Sequence, residues 1–143
     1  MKTEAFSMRM NVRIYELDPQ LHLSGSVYVQ YADQARYACL EAAGISVADM
    51  LAGGIGPVNL ETTIRYHHEI RIGQEIDVTC SWTWGSGKTY RVEHQFLRPD
   101  GELAAEVNLV SGLLELDSRK LLRNPAGFWR DRTTRAELLG LQN

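Results

Sequence analysis

The sequence predicts an α+β protein in which an antiparallel sheet of about five strands packs against one long helix. Two observations indicate this. Residues 27–44 carry small and apolar side chains at helical spacing. Most of the remaining chain alternates apolar and polar residues with the period of a half-buried strand, and short Gly- or Pro-containing turns separate these segments. Tight turns join antiparallel neighbours, so the strands after the helix should form one continuous sheet.

The first predicted strand leads into a polar loop that precedes the long helix. Residues 8–16 alternate apolar and polar side chains, and the loop follows at Asp18. Pro19 biases Asp18 away from helical backbone angles, so the loop is expected to turn there. Ser24 is a good helix N-cap, which makes Gly25 the first helical residue. The sequence therefore predicts a lone carboxylate close to the N-terminus of a long helix.

The long helix is predicted to bury one face and to end at Gly44, a residue type favoured just after a helix C-terminus. The stripe expected to face the core consists of Val27, Tyr31, Ala35, Ala38 and Ala42. A short second helix is expected over residues 46–52, with Ser46 as its cap and Gly53-Gly54 as its end.

Four further strands are predicted, over residues 57–67, 75–84, 88–97 and 102–116. Turns are expected at 71–74, 85–87 and 99–101, where glycine and proline concentrate. Residues 126–141 are weakly helical and amphipathic, and the end of this segment is expected to fray.

Composition favours an ordinary globular protein and argues against two classes of partner. The chain has 143 residues, 44% hydrophobic and 23% charged, which suits one domain over residues 1–143. A net charge of -3 gives no reason to expect nucleic acid or an anionic membrane as a partner. The first residues lack the apolar run of a secretion signal, so the cytoplasm is expected. Cys39 and Cys80 are expected to be buried free thiols.

The pairing of a carboxylate with a helix N-terminus suggests acyl-transfer chemistry. The first N–H groups of a helix lack intrahelical partners, and they polarise a carbonyl oxygen placed against them. Asp18 could then act as a nucleophile, or as a general base for water. An ordinary aspartate is ionised at neutral pH. Ionisation favours the nucleophile role, but the sequence does not decide between nucleophile and general base. The alternative is that Asp18 only shapes the loop.

The wider pattern resembles a known family. Tyr15-Glu16-Leu17-Asp18, followed by His22-Leu23, Tyr28, Tyr31 and Ala35-Arg36, resembles the N-terminal signature of the 4-hydroxybenzoyl-CoA thioesterase-like branch of the hotdog-fold thioesterases. The resemblance covers residues 8–125 and leaves 126–143 as a helical tail. It places Asp18 on the family's catalytic carboxylate, and Gly25 on the backbone N–H that binds the thioester carbonyl. Leu21 replaces the usual Gly, and Ser24-Gly25 replaces the common Asn-Asn.

The resemblance implies a hotdog fold and hydrolysis of an acyl-CoA or acyl-carrier-protein thioester. No cofactor is needed, because the thiolate is already a good leaving group. The resemblance also implies a homodimer or homotetramer with active sites at the subunit interface. Tyr28, Tyr31 and the strand starting near Pro57 are expected to line the acyl pocket.

Four more residues are candidates for substrate binding, each with a simpler alternative. His22 could touch the substrate or orient Asp18, although a loop histidine is commonly structural. Ser24 is first a helix cap and second a substrate contact. In the family, the hairpin matching Lys88 and Thr89 lies near CoA, but these two residues could equally be part of a plain hairpin. A metal site is not expected at His67-His68, because adjacent strand residues point to opposite faces.

Two other functions remain open at this stage. A hydratase or dehydratase of the same fold commonly uses a histidine, and residues 27–44 contain none. A non-catalytic module that binds acyl groups is also compatible with the altered segment 21–25.

Overall fold

The computed structural model describes residues 6–141, so the predicted ends of the domain, residues 1–5 and 142–143, lie outside the described part. The strands are β1 (Phe6–Asn11), β2 (Ile55–Tyr66), β3 (Glu75–Trp84), β4 (Thr89–Leu97), β5 (Leu103–Glu115) and β6 (Lys120–Leu121). The helices are α1 (Gly25–Ala42), α2 (Val47–Ala52) and α3 (Pro125–Arg130), with 3₁₀ turns at Ile14–Glu16 and Ala136–Leu139. Among the described residues, no helix is long and apolar enough to cross a membrane.

One antiparallel sheet with strand order β1-β3-β4-β5-β2 curls around helix α1, and β6 adds a two-residue pair to β5. This confirms the predicted α+β fold class and the hotdog arrangement of a sheet wrapped round one long helix. Alternation explains why the sheet buries one face. In β4, for example, Tyr90, Val92, His94 and Phe96 are buried while the residues between them are exposed.

Helix α1 is buried along a face rotated from the predicted stripe. Val27, Tyr31 and Ala35 are buried as expected, but Ala38 is half-buried and Ala42 is exposed. The buried face runs instead through Tyr28, Ala32, Cys39 and Leu40. Small residues fill much of the predicted stripe, and alanine tolerates either environment, so their spacing did not define the buried direction. Gly44, at φ +81°, ends the helix as predicted.

The first strand is shorter than predicted, because a 3₁₀ turn replaces its second half. Strand β1 ends at Asn11, and Ile14–Glu16 forms the turn. The Glu16 carboxylate is buried and accepts the Arg13 N–H at 2.8 Å and the Tyr31 hydroxyl at 2.5 Å. A buried carboxylate needs such partners. The turn is therefore held against α1 by a contact that the local alternation of residues 8–16 does not reveal.

The C-terminal segment belongs to the core of the described structure. Helix α3 spans only Pro125–Arg130, and a 3₁₀ turn follows, so the predicted weak helix over 126–141 is mostly wrong. Trp129 and Leu139 are fully buried. The ring of Trp129 meets that of Trp82 edge-on, with centroids 5.2 Å apart. Aromatic packing therefore fixes a segment with little helical preference of its own.

Both cysteines are free and buried, as predicted. Cys39 lies on α1 and Cys80 on β3, in the interior between helix and sheet. The indole N–H of Trp82 lies 3.5 Å from the Cys39 Sγ. The two thiols therefore pack as small apolar core residues.

Candidate active site

The loop that carries Asp18 is a compact hydrogen-bonded turn. The Asp18 N–H donates to the His22 carbonyl at 2.8 Å, and the Leu21 N–H donates to the Asp18 carbonyl at 2.9 Å. The loop is tied to the rest of the chain where the Leu23 N–H donates to the Ile70 carbonyl at 2.7 Å. The backbone position of Asp18 is therefore fixed by hydrogen bonds within the loop and by the hydrogen bond that ties the loop to Ile70.

The two carboxylate oxygens of Asp18 have different surroundings. Oδ1 accepts the N–H of Gln20 at 2.9 Å and that of His22 at 3.1 Å. Oδ2 makes no hydrogen bond to any residue within 6–141. One oxygen thus orients the side chain, as in an Asx turn, and the other remains open to a ligand. His22 orients Asp18 through its backbone N–H, not through its imidazole ring.

The N-terminus of α1 begins at Gly25 with an uncapped amide. Ser24 occupies the N-cap position, but its hydroxyl caps no helical N–H and lies 3.4 Å from the Ser26 Oγ. The N–H of Gly25 has no hydrogen-bond partner in the described part of the chain. The prediction that Ser24 is the N-cap residue is confirmed, but its side chain makes no capping hydrogen bond. The first helical amide is consequently free to bind an external acceptor.

Asp18 and Gly25 border the same cavity, whose volume is about 360 Å³. It is lined by Asp18, His22, Leu23, Gly25, Tyr28, Tyr66, His67, His68 and Glu69. The residues come from three places: the Asp18 loop, the first turn of α1 and the end of β2 with the loop that follows. A carboxylate, a helix N-terminus and tyrosine and histidine side chains therefore surround one space large enough for a thioester.

Tyr28 provides a hydroxyl group at this cavity. The residue is only 3% exposed, and its ring meets that of Tyr66 edge-on at 5.2 Å. Burial, followed by the nearby Tyr66 and Asp18, raises the pKa of Tyr28 to about 12. The hydroxyl is thus protonated at neutral pH and can donate a hydrogen bond to a ligand. Its predicted place beside the substrate is consistent with this geometry.

Both histidines after β2 line the cavity, although adjacent residues of a regular strand are expected to point to opposite faces. The strand ends at Tyr66, and the N–H groups of His67 and His68 both donate to the Ala104 carbonyl, at 2.8 and 3.0 Å. This local bend cancels the alternation of a regular strand. Within residues 6–141, no group of three or more His, Cys, Asp or Glu side chains is placed to hold a metal ion.

Three candidate residues lie outside this cavity. Ser24 does not border it. Thr89 begins β4 and pairs with Gly112, whereas Phe96 pairs with Ala105, the partner of Tyr66. Thr89 and Phe96 are seven residues apart along the extended strand β4, which corresponds to about 23 Å. Lys88 and Thr89 are therefore remote from Asp18 within one chain.

The sequence matches the family model described as the thioesterase-like superfamily over residues 12–131. The chain belongs to the thioesterase-like superfamily. The match includes the Asp18 loop, helix α1 and strands β2 to β6, so every residue that lines the Asp18 cavity lies within it.

Solved structures show the same fold at low identity. A 1,4-dihydroxy-2-naphthoyl-CoA thioesterase from Synechocystis has a TM-score of 0.80 and 15% identity, covering 88% of this chain and 93% of that one. A protein from Staphylococcus aureus in complex with CoA has a TM-score of 0.83 and 17% identity, covering 100% and 89%. A probable thioesterase from Escherichia coli has a TM-score of 0.78 and 23% identity, covering 89% and 95%.

Leu21, which replaces the glycine of the resembled thioesterase signature, adopts left-handed backbone angles at φ +62°. This conformation costs a residue with a Cβ about 1–2 kcal/mol. Because Leu21 is 56% exposed, little burial offsets that cost. We expect Leu21→Gly to leave the free energy of unfolding unchanged or raise it by up to about 1 kcal/mol. Urea unfolding would measure this. Leu51→Gly, in helix α2, is the control and should cost about 1 kcal/mol or more.

A second cavity of about 590 Å³ lies farther along α1. Its walls include Asp33, Arg36 and Tyr37 from α1, Pro57 and Asn59 from β2, and the aromatic residues Trp82, Tyr90 and Trp129. Tyr31, which is predicted to line the acyl pocket, borders neither of these two cavities. The hydroxyl of Tyr31 binds Glu16 instead.

A buried histidine contacts Arg36, which lines the second cavity. His94 is fully buried; its Nδ1 lies 2.8 Å from the Thr79 carbonyl, and its Nε2 lies 3.2 Å from the Arg36 guanidinium. A carbonyl can only accept and a guanidinium can only donate, so the neutral ring carries its proton on Nδ1. Arg36 also pairs with Asp33. Burial is the main reason that the pKa of His94 is lowered to about 4.

The lowered pKa of His94 predicts acid sensitivity. The unfolded chain binds this proton near pH 6.5 and the folded chain only near pH 4, so the stabilisation is complete above about 6.5 and lost as pH falls. Between pH 7 and 5 we expect this group to remove about 2 kcal/mol from the free energy of unfolding. Urea unfolding of wild type and His94→Gln at both pH values would measure it. An equal loss in both proteins would contradict the assignment.

Proposed function

We propose that the chain is a cytoplasmic acyl thioesterase that hydrolyses an acyl-CoA or acyl-carrier-protein thioester. The observation that carries the proposal is the arrangement of Asp18: one oxygen is held by two loop amides, the other has no hydrogen-bond partner among residues 6–141, and Asp18 lines the same cavity as Gly25, whose N–H is uncapped. This geometry suits attack at a carbonyl whose oxygen lies on the helix N-terminus. Membership of the thioesterase-like superfamily supports the same chemistry.

In the proposed reaction, the thioester carbonyl oxygen binds the Gly25 N–H, and the carbonyl carbon faces Asp18 Oδ2. By the first route, Oδ2 attacks the carbon, the C–S bond breaks, and the thiolate leaves; water then opens the mixed anhydride to the acid and free aspartate. By the second route, Oδ2 takes a proton from water, and the resulting hydroxide displaces the thiolate. Both routes consume one water and need no cofactor.

We favour CoA as the thiol group, since one structural relative was solved with CoA and another is a CoA thioesterase by name. His22 and Tyr28 border the cavity and are proposed to contact the substrate near the thioester. Lys88 and Thr89 are too far from Asp18 to do so in the same chain. We retain them as CoA contacts only across a subunit interface.

We propose a homodimer joined along the edge strand β2, with a homotetramer as the larger alternative. Strand β2 is twelve residues long, lies at one edge of the sheet and is largely exposed. Free edges of this kind are normally paired or covered. Both cavities are lined in part by β2, so a partner at this edge would flank both. Sedimentation of the purified protein would test the assembly.

Thiol release from a panel of acyl-CoAs tests the function. The panel runs from short to long chains and includes benzoyl and phenylacetyl thioesters, followed by acyl-carrier proteins. Cys39 and Cys80 are buried, so native protein should give little background with a thiol reagent. Release on some members is expected. If folded protein releases no thiol from acyl-CoAs or from acyl-carrier proteins, the proposal is contradicted. Binding of these thioesters without hydrolysis would favour the acyl-binding module.

One observation favours a second candidate, a hydratase or dehydratase. Helix α1 contains no histidine, but the fold brings His22, His67 and His68 into the Asp18 cavity. Such groups could move protons at carbons next to a thioester. Loss of enoyl-CoA absorbance on mixing with the protein, without thiol release, would support this function over hydrolysis.

A further inference from the structure

The carboxylate oxygen Oδ1 of Asp18 lies against two fixed backbone donors. The N–H of Gln20 is 2.9 Å from Oδ1, and that of His22 is 3.1 Å from it. Leu21, between these two residues, has left-handed backbone angles at φ +62°, and this turn brings the N–H groups on its two sides onto one oxygen. The N–H groups of Leu21 and Asp18 close the turn through hydrogen bonds to the carbonyls of Asp18 and His22. The two donors are therefore held in place before any substrate binds.

These donors gain a chemical role once Oδ2 has attacked a thioester. In the mixed anhydride, Oδ2 bridges the two carbonyl carbons, and Oδ1 becomes the carbonyl oxygen of the Asp18 half. Two N–H groups then point at Oδ1 at the distances of an oxyanion hole, whereas one N–H, that of Gly25, is proposed for the acyl carbonyl oxygen. Preformed donors stabilise the charge that develops on a carbonyl oxygen when water adds to its carbon. The Asp18 carbonyl is therefore the better activated half of the anhydride.

We propose that the N–H groups of Gln20 and His22 form a second oxyanion hole, and that water opens the anhydride at Cγ of Asp18. The water oxygen bonds to Cγ, the bond from Cγ to the bridging oxygen breaks, and its electron pair leaves with the acyl group as a carboxylate. One proton of the water passes to the thiolate formed in the first step, and the other passes to solvent. Asp18 is half-buried and lines its cavity, so water can reach Cγ. This step rests on the proposed thioesterase function and on its first route.

Attack at Cγ replaces one oxygen of Asp18 in every turnover. The attacking oxygen leaves with the acyl product, and the water oxygen takes its place on Cγ, while Oδ1 stays between its two donors. In H₂¹⁸O, the first molecule of product acid should therefore carry no label, and the label should lie in the Asp18 side chain. The second turnover should then transfer that label to the acid. Attack at the acyl carbon, or by a water that Asp18 activates directly, would instead label the acid in the first turnover and leave Asp18 unlabelled.

A single turnover in H₂¹⁸O, with protein in excess over an acyl-CoA, tests the site of attack. The probe is benzoyl-CoA, or the panel member that wild type hydrolyses fastest. Trypsin releases residues 14–36, which contain Asp18 and no internal lysine or arginine, and fragment masses locate the label. We expect label in Asp18 and an unlabelled acid, and protein kept in H₂¹⁸O without substrate is the control and should remain unlabelled. A labelled acid beside unlabelled Asp18 would overturn the inference and leave the thioesterase standing. Absence of thiol release from every thioester would overturn both.

Removal of one donor tests the second oxyanion hole directly. In a chain translated with the α-hydroxy acid of glutamine at position 20, an ester oxygen replaces the Gln20 N–H and the side chain is unchanged. We expect one equivalent of thiol to be released at the wild-type rate or faster, because loss of this donor does not weaken Oδ2 as a nucleophile. Later turnovers should be slowed about a hundredfold as the anhydride accumulates.

The same backbone change at Glu102 is the matched control. The Glu102 N–H donates to the Asp100 Oδ1 at 2.9 Å, and its loss should leave both rates unchanged. Wild-type turnover in the Gln20 ester variant would overturn the inference. Equal slowing of both phases, in a variant that melts like wild type, would also overturn it. The label test on wild type does not depend on the folding of either variant.

Discussion

Asp18→Asn is expected to lower thiol release on the order of a thousandfold, the scale of a lost acid–base or nucleophilic group. The amide retains an oxygen that can accept the N–H groups of Gln20 and His22, which hold the loop. It lacks the negative charge that attack or water activation requires. Fold and melting temperature should therefore remain those of wild type while turnover is lost. Steady-state thiol release and thermal unfolding, measured on the same preparations, would show both.

Asp100→Asn is the matched control for this variant. The Asp100 Oδ1 accepts the Glu102 N–H at 2.9 Å, which is the same kind of backbone contact, in the turn between β4 and β5. Asp100 does not border the Asp18 cavity. The control should keep full activity. Wild-type turnover in Asp18→Asn would exclude both routes through Oδ2. If Asp18→Asn is inactive, single turnovers of wild type in H₂¹⁸O test the first route, since label in the Asp18 side chain identifies the anhydride.

Trp129→Ala is expected to lower the free energy of unfolding by about 3–5 kcal/mol, the cost of removing a large buried aromatic side chain. Trp129 is fully buried and packs edge-on against Trp82 and Trp84, with centroids 5.2 and 5.6 Å away. Its indole N–H also lies 3.3 Å from the Met50 Sδ. The substitution leaves a cavity next to both the sheet and α2. Urea unfolding followed by near-ultraviolet circular dichroism would measure the loss.

Asp131→Ala is the control for the C-terminal segment. Asp131 is exposed and lies two residues from Trp129, just after helix α3. A surface change of this kind should alter stability by less than about 0.5 kcal/mol. If Trp129→Ala cost no more than this control, the C-terminal segment would not be docked on the sheet in solution.

Features with a local cause could be predicted from the sequence. The turn at Asp18 follows from Pro19, the end of α1 from Gly44, and the hairpin turn at Pro99-Asp100-Gly101 from residues suited to a tight turn. The closeness of Asp18 to the start of α1 follows from their separation by a short loop. The fold class and the pairing of a carboxylate with a helix N-terminus were therefore readable from adjacent residues.

The rest depended on contacts between segments far apart in the chain. Tyr66, His67 and His68 reach Asp18 only because the end of β2 lies beside the start of α1. The expectation for the two histidines was wrong because their N–H groups share the Ala104 carbonyl, a contact across about forty residues that no local pattern contains. Lys88 and Thr89 are separated from Asp18 by the register of β4 against β5.

The sequence by itself determined the order of the elements, the turns and the helix N-terminus that faces Asp18, since backbone preferences act over a few residues. Only the tertiary structure decided that Glu16 is buried against Tyr31, that Trp129 closes the core, and that Tyr90 and Arg36 share a second cavity. Burial and cavity shape arise from sheet register and from the face that α1 turns inward. Those are properties of the whole packed chain.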